Sequence, residues 1–304
     1  MRSRSILRTA DGLRLLKFKM KKTREKEIQK LAGKKKKKKK KGGAVSALLT
    51  LGIIICIAVM GYSVYQLVST GLAYKEGEDE YAGLQKYTMK TVEDTGTDAE
   101  QEAISADPAE QEETVTPPLQ VDFASLQAIN PDIVGWLYIE ALDISYPVVQ
   151  GSDNDYYLHR TFEGKNNFSG SIFVEYRNSG DFTDSNTIVY GHNMKNQSMF
   201  GKLKLLQEQG LYQNSSEFWI LTPEHNYRYQ IFSMHVTAQD SDVYTLFTNP
   251  GQEFVDYLNK MLNESETALP LEQDFTAESR IVTLSTCTSS ETDRFVVQGL
   301  LVSE

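Results

Sequence analysis

Short segments rich in β-branched and aromatic residues, with turns between them, follow one another along residues 121–304 of the chain and predict β-strands. In residues 281–287 apolar and polar positions also alternate, which places every second side chain on the same face and predicts a half-buried strand. The predicted strands are residues 133–139, 144–149, 171–176, 187–190, 218–222, 227–236, 281–286 and 295–302. A helical spacing is found only at residues 122–130, 198–209 and 252–262. The pattern therefore predicts a mainly β fold, an eight-stranded closed barrel that is rich in antiparallel pairs and carries a few short helices.

A second pattern, an uninterrupted apolar run, lies closer to the N-terminus. Residues 42–74 carry no charged side chain across 33 positions, and residues 51–60 at their centre are almost all aliphatic. About 20 apolar residues span the hydrocarbon core of a bilayer, so residues 44–69 are predicted to form a single transmembrane helix. The run is longer than the apolar region of a typical signal peptide, and no convincing small-residue cleavage site follows it soon, which favours an uncleaved anchor.

Charge divides the chain at the same place. Residues 1–43 hold 19 Lys and Arg against 3 Asp and Glu, whereas the rest of the chain holds 13 basic and 38 acidic side chains. By the positive-inside rule, residues 1–43 are predicted to be a basic cytoplasmic tail and the acidic remainder to lie outside the cell membrane. Eight consecutive lysines, residues 34–41, are predicted to contact anionic lipid headgroups. No interleaved aromatic residues or fold motif indicate a nucleic-acid partner.

The composition changes again between the apolar run and the strand-rich region. Residues 91–118 are rich in Glu, Asp, Thr, Ala and Pro and have almost no large apolar side chains, so they cannot bury a core. We therefore expect residues 70–120 to form an acidic extracytoplasmic stalk. Residues 121–304 are expected to form the globular domain, which is long enough for one substantial core.

A candidate nucleophile stands at the end of one predicted strand. Residues 281–286 run into Cys287, and six residues then separate Cys287 from Arg294 at the start of the last strand. In an antiparallel hairpin the two would be neighbours, and a guanidinium beside a thiol favours the nucleophilic thiolate. The alternative is a buried structural cysteine close to a surface arginine. The only other cysteine, Cys56, falls in the predicted transmembrane helix, so Cys287 is expected to be unpaired.

A thiolate nucleophile usually needs a proton partner, and histidine is the commonest one. His192 directly follows the predicted strand 187–190 and the flexible Gly191, and a strand end that faces a cleft is a typical place for a site residue. The other histidines, His159, His225 and His235, are predicted to be structural. The chain has no Cys-x-x-Cys, no His-Glu-x-x-His, no Asp-rich calcium loop and no glycine-rich phosphate cradle, so no metal or cofactor is expected.

These residues together resemble the sortase signature. The sequence Thr-Leu-Ser-Thr-Cys occupies residues 283–287, Arg294 follows shortly after it, and His192 stands 95 positions before the cysteine. Three further features resemble class B sortases in particular: residues 123–137, the sequence Asp-Asn-Asp-Tyr-Tyr-Leu at residues 153–158, and the helical insert before the cysteine strand. The similarity covers about residues 121–304 and implies a sortase-type β-barrel behind a membrane anchor.

The resemblance implies a transpeptidation reaction on secreted proteins that carry a C-terminal sorting signal. Cys287 would attack the carbonyl of a threonine in that signal, and an amine from a peptidoglycan precursor or its crossbridge would resolve the thioacyl-enzyme. His192 would pass protons to the departing amine and from the incoming one. Arg294 would hold substrate carbonyls or the developing oxyanion.

By the same resemblance, four residues would line the substrate cleft. Ser285 lies two positions before the cysteine on the same strand face, and Tyr244 precedes the helical insert. Asn154 and Tyr190 complete the set. Each of the four has an alternative role as an ordinary residue of a strand or of the barrel rim.

Other functions compete with this interpretation. A different extracytoplasmic cell-wall cysteine peptidase or an L,D-transpeptidase would also use cysteine and histidine, and a sortase that polymerises pilins would use a lysine as its acceptor. Papain-like enzymes place the cysteine before the histidine and at the start of a helix, and L,D-transpeptidases have a His-Gly-Cys pattern that is absent here. A membrane-tethered binding module without catalytic activity is the remaining alternative.

Overall fold

The computed structural model describes residues 4–91, 116–248, 250–287 and 292–304, without the side chains of residues 4–11, 13, 36–44 and 287. Residues 92–115, the middle of the expected stalk, lie outside the described residues. The chain divides into two compact units, Met1–Thr70 and Gly71–Glu304.

Helix α1, Arg4–Leu84, contains the predicted membrane segment. The stretch Val45–Tyr87 holds a window that is long and apolar enough to cross a membrane, and it is the only such stretch in the part of the chain that the structure describes. None of that window is buried inside the protein. The length and composition of this window agree with the predicted membrane-spanning helix.

The second unit is built on a closed β-barrel of eight strands, in the order β10-β8-β7-β3-β4-β5-β6-β9. The predicted eight-stranded barrel is therefore confirmed. All neighbouring strands are antiparallel except β4 with β5 and β6 with β9, which run parallel. The barrel strands are β3 (Ile133–Ile139), β4 (Ile144–Val149), β5 (Ile172–Val174), β6 (Asn186–His192), β7 (Glu217–Leu221), β8 (Asn226–Ala238), β9 (Ile281–Cys287) and β10 (Asp293–Ser303).

The remaining elements cover the barrel. A separate small sheet pairs β1 with β2 in antiparallel register. Helix α2 begins after Asp122, whose carboxylate accepts a hydrogen bond from the backbone N–H of Ser125 at 3.0 Å, as a helix N-cap does. These elements are β1 (Thr88–Lys90), β2 (Leu119–Val121), α2 (Phe123–Ile129), α3 (Leu205–Glu208) and α4 (Gln252–Glu264).

Two buried clusters form the core. The larger one fills the barrel and includes Trp136, which is fully buried on β3. The smaller one lies between α4 and the outer face of β8, β9 and β10, where Phe254, Leu258 and Met261 form the buried stripe of the helix. Spacings of three and four residues place these side chains on one helix face, which explains why α4 follows the predicted segment 252–262 closely.

The predicted helix at residues 198–209 is mostly absent. Only α3 is helical, and the preceding residues form turns in which Gln197 and Met199 have φ values of 66° and 52°. Left-handed backbone cannot continue a right-handed helix. Asn193 and Met199 instead form an isolated β-bridge, which closes a compact loop directly after β6.

The segment before the barrel differs from the expected stalk. Tyr81 and Leu84, near the end of α1, are 5% and 2% exposed and belong to the large core cluster. The strand β1 that follows them pairs with β2, and both lie in the second compact unit. Removing an aromatic and an aliphatic side chain from water stabilises the unit, so residues 71–91 are part of the folded domain.

Candidate active site

Parallel strands β6 and β9 bring two predicted site residues side by side. In their register, Tyr190 faces Ser285 and His192 faces Cys287. Neighbouring strands lie about 4.8 Å apart, so the backbones of His192 and Cys287 are adjacent at the ends of the two strands. The thiol itself lies outside the described side chains.

The third predicted catalytic residue lies on the other neighbour of β9. Strand β10 pairs with β9 on its other side, with Val296 opposite Ser285, and Arg294 lies two residues before Val296, beyond the last pair of this ladder. The guanidinium of Arg294 is half-buried, and its Nη2 donates a hydrogen bond to Oε1 of Gln239 at 3.2 Å. The three predicted catalytic residues thus lie at the ends of three adjacent strands.

The imidazole of His192 has a backbone partner. Its Nε2 lies 2.7 Å from the carbonyl oxygen of Leu158. A carbonyl can only accept, so Nε2 carries the proton in this contact, and in the neutral ring Nδ1 is the basic nitrogen. No sequence pattern could have identified Leu158, because its backbone carbonyl makes the contact and every residue has one.

The predicted substrate-lining residues form a continuous set beside these strand ends. Ser285 is fully buried, and its Oγ lies 2.8 Å from the hydroxyl of Tyr244. The ring of Tyr244 stacks on the ring of Tyr190 with 6.3 Å between centroids and 23° between planes. The hydroxyl of Tyr190 and the amide of Asn154 both reach the carboxylate of Glu175, at 3.2 and 2.6 Å. The structure therefore brings all four residues together.

A family model described as the sortase domain matches residues 137–302, more than half of the chain. The chain belongs to the sortase family.

Two curated relatives are sortases B. The chain is 38% identical over 188 residues to sortase B of Listeria monocytogenes, an alignment that covers 60% of this chain and 75% of the relative. It is 34% identical over 184 residues to sortase B of Staphylococcus aureus, with 59% and 74% of the two chains covered.

Solved sortase structures show the same fold. Sortase B of B. anthracis in complex with AAEK1 superposes with a TM-score of 0.61 at 30% identity, covering 77% of this chain and 99% of that one. The Staphylococcus aureus sortase B–substrate complex gives a TM-score of 0.55 at 32% identity, with 60% and 84% of the two chains covered.

These comparisons confirm the class B resemblance and identify the chain as a sortase cysteine transpeptidase. The alternatives of a different cysteine peptidase, an L,D-transpeptidase and a binding module without catalytic activity are thereby set aside. Sortases act on sorting-signal substrates and amine acceptors, and this chain shares that general chemistry as a member of the family.

Sequence reasoning also missed the buried Glu175 of this sortase. Its side chain is 1% exposed, although the guanidinium of Arg177 that donates to its Oε1 at 2.5 Å is 55% exposed. Burial raises the pKa of Glu175, but hydrogen bonds from Arg177, Asn154 and Tyr190 outweigh it and hold the pKa below the ordinary value of 4.5. A glutamate just after an apolar strand gives no signal for burial, because its partners come from distant segments.

The other histidines of the sortase lie outside this constellation. His159 is exposed beside Asp155, and His225 stacks on Tyr227 in a turn. His235 is buried, and burial lowers its pKa. Within the described ranges, no group of three or more His, Cys, Asp or Glu is arranged to hold a metal ion.

Proposed function

We propose that this sortase is a membrane-anchored enzyme that cleaves a C-terminal sorting signal after threonine and joins the secreted protein to a peptidoglycan precursor amine. The observation that carries the proposal is the register of β6 and β9, in which His192 and Cys287 are partners, with Arg294 on the next strand. A nucleophile, a proton carrier and a fixed cation are the three groups that acyl transfer through a thioester requires.

The reaction proceeds in two balanced steps. The thiolate of Cys287 attacks the threonine carbonyl carbon, the peptide bond after threonine breaks, and the departing amine takes a proton from the imidazolium of His192. The acceptor amine then gives a proton to His192 and attacks the thioester, so that a new amide forms and the thiolate leaves. Arg294 stabilises the negative oxygen of both tetrahedral intermediates, because its guanidinium is fixed and partly withdrawn from water.

The sorting signal lies along the surface formed by Asn154, Tyr190 and Tyr244, with the buried Ser285 directly behind the Tyr244 hydroxyl. Contacts among these residues support the assignment, because the stacked rings of Tyr190 and Tyr244 present an extended face next to the strand ends. Aromatic faces of this kind bury peptide side chains, while their hydroxyls keep hydrogen-bonding capacity.

The membrane arrangement follows from the charge pattern. Residues 1–43 lie in the cytoplasm, residues 44–69 anchor the chain, and the lysine run at residues 34–41 contacts anionic headgroups. The catalytic domain, placed at residues 121–304 by the sequence, lies outside. Protease added to intact cells should digest the barrel domain and leave the tail protected. Digestion of the tail alone would show that the chain has the opposite orientation in the membrane.

Product analysis tests the reaction. The full chain in detergent is incubated with peptides that vary the residues around threonine, together with an oligoglycine, a cell-wall peptide with a free side-chain amine, or a lysine-containing pilin peptide. Mass spectrometry should show cleavage after threonine and a new amide to a cell-wall amine. Preference for the pilin lysine would identify a pilin-polymerising sortase instead.

Two cysteine variants provide the matched control. Cys287→Ala should lose both the acyl-enzyme adduct and the product, because no thioester can form. Cys56→Ala removes a thiol from the apolar segment of α1 and should retain turnover. Product formation by Cys287→Ala would contradict the mechanism.

A further inference from the structure

The end of helix α1 is tied to the loop that approaches His192. We call residues 158–171 the histidine loop. The hydroxyl of Tyr81 donates a hydrogen bond to the carbonyl of Gly170 at 2.8 Å and accepts one from the backbone N–H of Phe162 at 3.2 Å. Burial raises the pKa of Tyr81 far above its usual range, so the hydroxyl keeps its proton for the first of these bonds.

Glu80, next to Tyr81, holds the middle of the histidine loop. Its carboxylate has a side-chain exposure of 2% and accepts hydrogen bonds from the hydroxyl of Thr161 at 3.0 Å and from the backbone N–H of Glu163 at 2.9 Å. The ammonium of Lys165 lies 3.4 Å away and supplies the opposite charge. A buried carboxylate with three partners constrains its surroundings strongly, because leaving any of them unpaired is costly.

The histidine loop contacts the imidazole at two places. The Leu158 carbonyl accepts the hydrogen bond from Nε2 of His192. Gly170 has a φ of +58°, and a Cβ at this position would meet the Leu158 oxygen at 2.7 Å and Cδ2 of His192 at 3.0 Å. The Gly170 backbone therefore lies between the Tyr81 hydroxyl and the imidazole ring, with no room for a side chain.

We propose that Glu80 and Tyr81 are positioning residues of this sortase, which hold the histidine loop so that Leu158 and Gly170 fix the ring of His192. The proposal rests on the proposed catalytic role of His192. A fixed Nε2–H keeps Nδ1 as the proton acceptor and aims the ring along β6 towards Cys287. Without these anchors the ring samples other rotamers, and fewer molecules hold it in the reactive geometry.

A pair of tyrosine variants of the full chain in detergent tests the inference. Tyr81→Phe removes the hydroxyl and keeps the ring. Tyr74→Phe is the matched control on the same helix, because its ring packs edge-on against Phe168 and its hydroxyl makes no hydrogen bond to any described residue. We expect Tyr81→Phe to lower kcat roughly tenfold with little change in KM. This loss is a fraction of the rate enhancement that general acid–base catalysis supplies, because the imidazole is still present but less often in position.

The pH profile separates positioning from mere stabilisation. Tyr81→Phe should also change the pH dependence of kcat/KM and of thiol alkylation at Cys287, measured well below the melting temperature, whereas Tyr74→Phe should keep the native profiles. A lower melting temperature with unchanged profiles and kcat would overturn the proposal. If Tyr81→Phe does not fold, Glu80→Gln serves instead, since it keeps the size of the side chain and loses the charge opposite Lys165. The pH profiles of kcat/KM and of thiol alkylation then decide in the same way whether the residue positions His192.

His192→Ala distinguishes this inference from the proposed function. An active His192→Ala enzyme would refute the role of His192 itself. An inactive His192→Ala enzyme together with a Tyr81→Phe enzyme that behaves like Tyr74→Phe would refute only the positioning role.

Discussion

At the scale of single residues, the buried carboxylate of Glu175 holds two of the residues that are predicted to bind the substrate. Oε2 of Glu175 accepts hydrogen bonds from Asn154 and Tyr190, while Arg177 binds Oε1. The amide of Asn154 is fixed at both ends, because its Oδ1 also accepts from the backbone N–H of Tyr176 at 3.0 Å. One carboxylate thus sets the orientation of two side chains that come from separate segments.

Glu175→Gln should remove a pH-dependent part of the stability. The pKa of Glu175 is lowered on folding, so its contribution is present above the unfolded value near 4.5 and is lost as the pH falls through the folded pKa. The melting temperature of the native protein should therefore exceed that of Glu175→Gln at neutral pH, and the gap should narrow below pH 4.5. Glu224→Gln, a substitution in an exposed turn, should show the same dependence of melting temperature on pH as the native protein. A difference in melting temperature between the native protein and Glu175→Gln that stays constant with pH would contradict the role given to the Glu175 carboxylate.

At the scale of elements, helix α4 and strand β6 hold the segment that carries Tyr244. The amide of Asn186, at the start of β6, donates to the carbonyls of Val243 and Thr245 at 3.1 and 3.0 Å. The hydroxyl of Tyr257 on α4 donates to the same Val243 carbonyl at 3.0 Å. Because burial raises the pKa of Tyr257, its hydroxyl stays a donor. The insert helix therefore supports the substrate surface from behind.

Tyr257→Phe should weaken binding of the sorting peptide more than it slows chemistry. The Tyr257 hydroxyl also accepts hydrogen bonds from Gln298 and Asn186, at 3.0 and 3.4 Å, but only its bond to Val243 holds the segment of Tyr244. The loss of that bond, about 1 kcal/mol, should raise KM roughly fivefold and leave kcat within about twofold. Steady-state kinetics with a peptide that the product analysis shows to be cleaved measure both constants. Tyr229→Phe, in a core tyrosine that stacks on Phe218, is the control and should leave KM unchanged. An unaltered KM in Tyr257→Phe would show that Tyr244 does not depend on this support.

At the scale of the whole molecule, the folded unit is larger than the strand pattern. Gly71–Glu304 forms one compact unit, in which the last turns of α1 contribute Tyr81 and Leu84 to the core. Strand β1 also covers β2, whose Leu119 is 4% exposed. The described residues between the apolar helix and the barrel, 71–91 and 116–132, are therefore part of the folded unit.

A chain that begins at Gly71 should be more stable than one that begins at Val121. The shorter chain lacks Tyr81 and Leu84, whose burial contributes about 1.5–3 kcal/mol each, and it leaves the pocket of the histidine loop open. We expect its melting temperature to be lower by about 5–10 °C in thermal unfolding monitored by fluorescence. Equal melting temperatures would show that residues 71–120 add nothing to the stability of the barrel.

The sequence by itself determined the features that depend on local patterns. The strands at Ile133–Ile139 and Ile144–Val149 match their predicted bounds, because β-branched and aromatic side chains favour extended backbone and a short turn separates the two runs. The apolar helix follows from composition alone. The pairing of the cysteine strand with the strand of Arg294 follows from a short hairpin. The place of His192 at the end of a predicted strand, after Gly191, singled it out as the proton partner.

Only the tertiary structure decided which residues from distant segments of the chain meet at the site. The parallel pairing of β6 with β9 joins residues that lie 95 positions apart, and nothing local specifies it. The burial of Glu80 and Glu175 depends on partners supplied by other loops, and exposed glutamates have the same local sequence signature. A short pattern reports the preferences of neighbouring residues, whereas the free energy of a buried charge depends on groups that the fold alone brings within hydrogen-bonding distance.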